Sequence, residues 1–207
     1  LSWSPTTGKW LAARCVRYSE DPPPPTSVLA IYDRADRSCT ITDVPYSYGR
    51  AIWADESTVL VPSEESVAAV RAKGDDWDVV TRYEKISGST FLGRFNGDIV
   101  QAHDGKVLLG KTVIGVRSSR SPLWTLVTDR YIYLCESPSV MKVLGHEGEI
   151  VATGDPGGSV RFGCAGGTDD IVYGTLDDKW VVKVTLTAPT LVVERLADLS
   201  QAVLQAL

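Results

Sequence analysis

The segment GGTDDIVYGTLDDKWVVKVTLTAPTLVVER, residues 166–195, contains the unit from which this chain is built. Its turn residues lead into a short apolar strand at 171–175, and two further apolar runs, at 180–186 and 191–195, follow across tight turns. β-Branched and aromatic residues fill the runs, while Gly, Asp and Pro separate them. The segment therefore predicts antiparallel strands joined by hairpins.

The same order of residues occurs five times along the chain. Each repeat opens on an aromatic residue, passes a turn rich in Gly, Asp, Thr or Ser, and continues into a short apolar strand. The opening aromatics are Trp3, Trp53, Phe91, Trp124 and Phe162. Their spacing, roughly 33 to 50 residues, brackets the length of a propeller blade. We therefore expect an all-β fold, a β-propeller of about five four-stranded blades.

The repeats predict a single propeller over residues 1–195. Its blades are expected near residues 1–50, 51–88, 89–121, 122–158 and 159–195. The first repeat is the longest because it contains the insertion DPPPP at 21–25. Proline donates no hydrogen bond to a strand ladder, so this insertion is expected to form an extended loop outside the sheet.

The last residues follow a different pattern. Leu196, Leu199, Val203 and Leu207 recur at helical spacing with good helix formers between them. A short amphipathic helix is expected over 196–207. Its apolar side either packs on the domain itself or forms a docking surface for a partner.

Two repeats resemble the WD40 family in their residues, and all five resemble it in pattern. Gly145 and His146 stand where that family has its GH pair, and Tyr32 and Asp33 stand where its terminal WD dipeptide falls. The opening LSWSPTTGKWLAAR is equally similar to TolB-like propellers. The resemblance implies a propeller, although WD40 rings usually have seven blades. The chain would then form a small ring, belong to a larger one, or be completed by a partner.

Composition excludes several classes of function. The 207-residue chain carries a net charge of −5 with a pI of about 5.1 and has no block of basic residues. We therefore expect no nucleic-acid partner. It contains no run of 18 apolar residues, so no membrane partner is expected either.

The cysteines indicate a compartment. Cys15, Cys39, Cys135 and Cys164 stand singly, without the paired spacing of zinc or redox sites. Low cysteine density favours free thiols and a cytoplasmic or nuclear location. Secretion or a periplasmic location, with Cys15 paired to Cys39, is the alternative, since a chain that opens on Leu1 is compatible with a removed signal peptide.

No motif supports a cofactor or a metal. Residues 105–112 match the spacing of a phosphate-binding P-loop, but apolar strands lie inside and after the match. A β-hairpin with Gly110 at its turn is expected instead. His103 and His146 are the two histidines of the chain, too few for a three-histidine site, and the acidic residues after His146 are read as solvated turn charges.

Carboxylates cluster at the predicted turns. Some five-bladed propellers are glycoside hydrolases, which need two carboxylates facing each other across a cleft. Here the acidic pairs mostly sit in hairpin or strand-entry turns, where they are solvated or cap the turn. The pairs and clusters are Asp55 with Glu56, Glu64 with Glu65, Asp75, Asp76 and Asp78, Asp169 with Asp170, and Asp177 with Asp178.

The function favoured by these observations is non-catalytic recognition of another protein. A propeller presents many short loops on a rigid scaffold, and such loops form binding surfaces. A polyproline stretch is also preformed for docking into an aromatic groove. The alternatives are a glycoside-acting enzyme and a sensor domain of a larger protein. The candidate partner-binding residues are Pro22, Pro23, Pro24, Pro25, Leu199, Val203 and Leu207.

Overall fold

The computed structural model of the chain describes five ranges: residues 2–4, 7–17, 26–46, 49–116 and 124–200. Within them the fold is all-β, with twenty strands and two helical residues, Leu199 and Ser200. None of these ranges holds a helix long and apolar enough to cross a membrane. The chain divides into two compact units, Leu1–Phe91 and Leu92–Leu207.

The first unit contains two antiparallel four-stranded sheets, each with its strands in chain order. The strands of the first sheet are β1 (Ser2–Trp3), β2 (Trp10–Arg17), β3 (Thr26–Asp33) and β4 (Cys39–Pro45). Those of the second are β5 (Ile52–Trp53), β6 (Thr58–Pro62), β7 (Ser66–Lys73) and β8 (Asp76–Glu84).

The core of the first unit lies between its two sheets. Leu29 and Ile31 alternate along β3, and Val59 and Val61 alternate along β6; all four are at most 2% exposed and belong to one apolar cluster. This alternation follows from the two-residue period of a strand, which places every second side chain on the same face. Each such aliphatic side chain contributes about 1.5–3 kcal/mol by its burial.

The second unit contains the third sheet, apart from Thr90 and Phe91, and a larger eight-stranded sheet. The third sheet comprises β9 (Thr90–Phe95), β10 (Asp98–His103), β11 (Lys106–Leu109) and β12 (Thr112–Val116). The larger sheet comprises β13 (Trp124–Val127), β14 (Ile132–Ser137), β15 (Val140–Leu144), β16 (Ile150–Gly154), β17 (Val160–Ala165), β18 (Ile171–Leu176), β19 (Trp180–Thr187) and β20 (Thr190–Asp198).

The eight-stranded sheet consists of two antiparallel four-stranded groups joined at one point. Thr153 of β16 pairs in parallel with Thr190 of β20, the one register pair between the groups, beside a 3.4 Å hydrogen bond from Thr153 N–H to Pro189 O. At the other margin the edge strands β13 and β17 lie side by side, so the sheet nearly closes on itself.

Two apolar clusters hold the second unit together. One joins the two halves of the eight-stranded sheet through Tyr133, Val143, Val172 and Val184, all fully buried. The other joins the third sheet to the first of these halves. Each four-stranded group is thus apolar on a face that another group covers, which is how layered β-folds bury their sheets.

The predicted C-terminal helix does not begin at residue 196. Leu196 lies in β20, whose register pairs Val181 with Ala197 and Trp180 with Asp198. The ladder with β19 prevails because a short isolated helix is marginal in water, whereas each added strand pair gains hydrogen bonds. Leu199 is the first of the two helical residues, and the rest of the prediction, with Val203 and Leu207, lies outside the described residues.

The described structure separates Cys15 from Cys39. Cys15 pairs with Val28 on β3, while Cys39 of β4 pairs with Tyr32, whose partner on β2 is Leu11. Two strand spacings and four residues along the strand put the cysteines roughly 16 Å apart. A disulfide needs Cα atoms within about 7 Å. All four cysteines are free thiols.

Residues 105–116 form the hairpin that the sequence predicts in place of a P-loop. β11 and β12 pair across the turn at Gly110, whose φ is +56°. A phosphate cradle requires backbone N–H groups that converge ahead of a helix. Here the strand ladder uses those groups, so this segment does not form a phosphate-binding loop.

Candidate binding site

Three indole rings meet in the first unit, where Trp10 begins β2, Trp53 ends β5 and Trp77 lies near the start of β8. Trp10 stacks on Trp53 with 6.4 Å between ring centroids and 14° between ring planes. Trp77 meets both edge-on, 5.1 Å from Trp10 and 6.0 Å from Trp53. Such arrangements add about 0.5–1.5 kcal/mol per pair beyond the burial of area, so the cluster ties the two sheets together.

Hydrogen bonds fix the orientation of two of these rings. Trp10 Nε1–H donates to Asp33 Oδ2 at 2.9 Å, and Trp53 Nε1–H donates to the carbonyl of Ser2 at 2.8 Å. A buried indole needs a partner for its N–H, and here each partner lies on a neighbouring strand or sheet. The rings therefore present a defined surface.

A pocket of about 240 Å³ opens beside the cluster, between the turn after β3 and the turn after β7. We call it the indole pocket. Its lining residues are Lys9, Trp10, Ile31, Asp33, Asp36, Ser38, Thr40, Ala72, Gly74, Asp75 and Trp77. Two indoles and three carboxylates thus surround one small cavity.

Lys9 and Asp33 set the electrostatics of the indole pocket. The Lys9 ammonium lies 4.4 Å from the centroid of the Trp10 ring and 3.6 Å from Asp33 Oδ2. The Ala35 N–H donates to the other oxygen of Asp33 at 2.7 Å. This bond, with those from Trp10 and the charge of Lys9, holds the pKa of Asp33 below its usual range. Asp33 is therefore ionised at neutral pH.

Glu56 links the turn after β1 to the turn after β5. Its Oε1 accepts from Ser4 Oγ at 2.9 Å, from Thr7 N–H at 3.2 Å and from the Thr7 hydroxyl. The Ser4 hydroxyl, 2% exposed as a residue, in turn accepts from Trp10 N–H at 3.2 Å. Charge-assisted bonds of this kind are stronger than neutral ones, so they stabilise the turn that leads into Trp10.

A larger groove of about 700 Å³ lies elsewhere on the first unit, and we call it the arginine groove. Arg17 forms an ion pair at its wall, with 2.7 Å between its Nη1 and Asp43 Oδ1. The groove combines three arginines with three carboxylates around a tyrosine. Its lining residues are Arg14, Arg17, Thr26, Ser27, Val28, Asp43, Pro45, Tyr46, Ser63, Glu64, Glu65, Ser66 and Arg82.

The predicted proline contact, Pro22 to Pro25, lies outside the described residues. Its flanking strands are described, and both reach the arginine groove. Arg17 ends β2 and Thr26 begins β3, and both residues line the groove. The two described strands on either side of the insertion therefore both reach the arginine groove. Leu199 lies in the second unit, where its N–H donates to the carbonyl of Lys179 at 2.8 Å.

Turn carboxylates cap backbone N–H groups, as the sequence predicts for them. Asp55 Oδ1 accepts from the N–H and the hydroxyl of Ser57, at 2.8 and 2.9 Å. Although burial opposes it, these bonds lower the pKa of Asp55. Asp177 Oδ1 accepts from Ser159 N–H at 2.7 Å. These groups are engaged in holding turns, which does not favour the glycoside-acting alternative.

The turn of Asp169 in the second unit has a different electrostatic character. The Tyr133 hydroxyl donates to the carbonyl oxygen of Asp169 at 2.6 Å, and Arg130 lies 3.9 Å from Asp170. Burial raises the pKa of the Asp169 carboxyl, and the charge of Asp129 adds to the rise. Burial likewise raises the pKa of the Tyr133 phenol. The ionised form of Asp169 is therefore less favourable in the folded chain than in water.

The two histidines occupy separate structural settings. His103 Nε2 lies 3.3 Å from Asp104 Oδ2. The ring of His146 meets Phe95 edge-on at 6.0 Å, and its carbonyl accepts from Asn96 Nδ2 at 2.9 Å. The described residues hold no group of three or more His, Cys, Asp or Glu side chains placed to bind a metal ion.

Sequence reasoning identified the strands that carry the indole pocket but not the pocket. Trp10 follows the predicted turn TTGK at residues 6–9, and Trp77 follows the turn predicted from Lys73 to Asp76. The two tryptophans are 67 positions apart in the sequence, and no pattern shows that their rings meet. One feature of the sequence could have indicated the pocket: Trp10 and Trp77 each follow a charged residue, Lys9 and Asp76, at the start of a strand. Register and sheet stacking, which bring them together, are properties of the assembled fold.

No protein-family model matches this sequence, and no curated protein matches it. Solved structures do match in fold. A chain in a crystal structure of the mitotic checkpoint complex has a TM-score of 0.59 at 10% identity, covering 96% of this chain and 65% of its own length. Kluyveromyces lactis Hsv2 has a TM-score of 0.54 at 11% identity, covering 82% and 64% respectively.

These two neighbours are WD40 propeller proteins, and the chain spans just under two thirds of the length of each. AztD from Citrobacter koseri is also similar, with a TM-score of 0.46 at 15% identity, covering 90% of this chain and 57% of its own. At these identities the likeness to the first two neighbours concerns the fold alone. The chain has a propeller-like all-β fold.

Proposed function

We propose that the chain is a WD40-like propeller segment of about five four-stranded blades that recognises another protein without catalysing a reaction. The blades correspond to the repeats near 1–50, 51–88, 89–121, 122–158 and 159–195. The single observation that carries the proposal is the arginine groove, a concave surface on a rigid pair of sheets. Loops and clefts on rigid scaffolds are where binding surfaces form.

The chemistry of the groove favours a peptide or protein surface as its ligand. Arginine and tyrosine are enriched where proteins bind each other, because both combine apolar area with hydrogen bonding. Arg14, Tyr46 and Arg82 supply these groups, while Glu64 and Glu65 supply the opposite charge. A surface of mixed charge selects a partner by complementarity and suits neither nucleic acid nor a membrane. The exposed thiol of Cys39 fits a cytoplasmic or nuclear location.

The test is capture of partners by the full chain and by variants of the groove. Arg82→Glu reverses one exposed charge in the groove, and Lys106→Glu, on β11 of the second unit, is the matched control. We expect a defined protein to bind the parent chain and the Lys106→Glu variant but to bind Arg82→Glu at least about tenfold more weakly, the loss of one interfacial charge contact. Quantitative pull-down followed by calorimetry measures this.

A partner that binds both variants equally would contradict the groove as the site. Hydrolysis of a panel of glycosides by the parent chain, lost on substitution of a turn carboxylate, would contradict the non-catalytic function itself. Circular dichroism of each variant establishes that the charge reversals leave the strands intact.

A further inference from the structure

The indole pocket has the chemistry of a cation site. Its carboxylates, Asp33, Asp36 and Asp75, outnumber its one ammonium, Lys9, and leave it with two excess negative charges. Hydrogen bonds from Ala35 and Trp10 keep Asp33 ionised. A positively charged group is therefore the ligand that the pocket favours electrostatically.

The residues that line the pocket indicate which class of cation it binds. The rings of Trp10 and Trp77 both line it, and indole is the aromatic ring that attracts cations most strongly. A hydrated divalent metal ion prefers a shell of oxygen atoms alone. An alkylammonium, which has an apolar stem and a charged end, uses the indoles and the carboxylates together. At about 240 Å³ the cavity suits one side chain and is smaller than typical small-molecule sites.

The chain itself demonstrates this mode of binding. The Lys9 ammonium stands 4.4 Å from the Trp10 centroid and 3.6 Å from Asp33 Oδ2. Its side chain is 46% exposed, so it occupies the edge of the pocket and can leave it at small cost. Lys9 therefore marks the place of an ammonium and also competes for it.

We propose that the indole pocket binds the ammonium group of a lysine side chain on a partner protein, in exchange with Lys9. The ligand ammonium rests against the indole face of Trp10, and the carboxylates of Asp33 and Asp75 balance its charge. The apolar stem of the lysine packs beside Trp77. This site is separate from the arginine groove, so a test of one proposal does not decide the other.

The experiment is a titration of the full chain followed through the ¹⁵N-labelled indole N–H signals. The chain has six tryptophans, and Trp10→Phe and Trp77→Phe identify two of the signals. The probe is the peptide acetyl-Gly-Lys-Gly-amide, and its control is the same peptide with the lysine acetylated on its side chain, which has no charge. We expect saturable shifts of both assigned signals with the first peptide and none with the second.

Three variants test the mechanism. Lys9→Ala removes the competing ammonium and is expected to tighten binding about threefold, with Lys9→Gln as a second variant that keeps a polar stem. Asp75→Asn removes one exposed carboxylate and is expected to weaken binding about threefold. Asp104→Asn, in the second unit, is the matched control and should leave the affinity unchanged.

Two results would overturn the proposal. One is equal shifts with the charged and the acetylated peptide, which would make the contact apolar. The other is an affinity that neither Lys9→Ala nor Asp75→Asn changes, which would place the peptide elsewhere. Partner capture through the arginine groove is measured separately, so either result leaves that test intact.

Discussion

Trp10 has two functions in the first unit, because its ring packs between Trp53 and Trp77 and its N–H bonds to Asp33. We expect Trp10→Ala to lower the free energy of unfolding by about 3 kcal/mol, the lower end for such truncations since the ring is only partly buried. Trp10→Phe keeps a ring and loses the hydrogen bond, which costs about 1 kcal/mol. Urea unfolding followed by circular dichroism measures both, and equal losses would contradict the division between packing and hydrogen bonding.

Asp33 and Asp169 should give opposite dependences of stability on pH. The pKa of Asp33 is lowered in the fold, so its ionised form stabilises the protein above the unfolded pKa of about 3.9, and this stabilisation is lost as pH falls through the folded pKa. The pKa of Asp169 is raised, so its ionised form costs stability at neutral pH. That cost disappears as pH falls through the folded pKa towards the unfolded value.

The matching variants are Asp33→Asn and Asp169→Asn. At pH 7 we expect Asp33→Asn to be less stable than the parent chain and Asp169→Asn to be more stable, the second by less than about 1 kcal/mol because the carboxyl is largely solvated. As the pH falls, the Asp169→Asn difference should shrink first, because the folded pKa of Asp169 is raised. The Asp33→Asn difference should shrink only at a pH below the unfolded pKa of about 3.9, because the folded pKa of Asp33 is lowered. Urea unfolding of the parent chain and both variants across this pH range measures these differences in stability. If both variants differ from the parent chain in the same direction at pH 7, the prediction is wrong.

At the scale of the element, the centre of β18 requires glycine. A Cβ on Gly174 would meet the Arg161 carbonyl and lie 3.1 Å from Phe162 Cα, next to the bulge where β17 shifts register. We expect Gly174→Ala to destabilise the second unit by about 1–3 kcal/mol, the cost of forcing atoms into packed backbone. Thermal unfolding measures this.

Gly167, in the turn before β18, provides the control for that substitution. A Cβ there has no neighbour within 4 Å and the residue has no positive φ. Gly167→Ala should therefore leave the unfolding midpoint nearly unchanged. A similar loss in both variants would contradict the close approach of β17 as the cause, because the lower entropy of the unfolded chain after Gly→Ala stabilises the fold.

The strands themselves were predictable from local residues. The sequence predicts that the second strand of each repeat begins at Trp10, Thr58, Ile99, Tyr131 or Ile171. These strands begin within one residue of those positions, at Trp10, Thr58, Asp98, Ile132 and Ile171. Apolar alternation and turn chemistry determine such boundaries. The prediction of a helix from residue 196 was wrong at its start, because the apolar pattern around Leu196 fits the end of a strand equally well. The pairing of β20 with β19 decides between the two, and the spacing of residues along the sequence does not reveal such pairing.

At the scale of the whole molecule, the two units have separate cores. The cluster around Trp10 and the cluster around Val172 share no residue. The losses of Trp10→Phe and Gly174→Ala should therefore add to within about 0.5 kcal/mol in the double variant. Urea unfolding of the single and double variants tests this, and a coupling above about 1 kcal/mol would show that the units do not unfold independently of each other's packing.

Fold class and the acidic turns followed from the sequence, whereas the candidate site did not. Asp55 could be assigned to a turn because its capping bond is local, with its partner Ser57 two residues away. Asp177 was also predicted to lie in a turn, although its partner Ser159 is 18 residues away along the chain. The indole pocket depends on Trp10 and Trp77 meeting across two sheets, and the arginine groove on residues from Arg14 to Arg82. Such contacts depend on register and on how sheets stack, which a single sequence does not encode in any short pattern.

The junction between the two halves of the eight-stranded sheet affects how such a chain can change over evolution. Thr153 and Thr190 are the one register pair between its halves, and every other strand pair in the sheet lies within a half. A duplication or deletion of four consecutive strands would break that one register pair and leave each remaining ladder whole, so the hydrogen bonding of the sheet would survive and the apolar cluster between the halves would have to repack. The chain can therefore gain or lose a whole four-stranded group with every strand still paired, whereas the gain or loss of a single strand would leave a ladder edge unpaired.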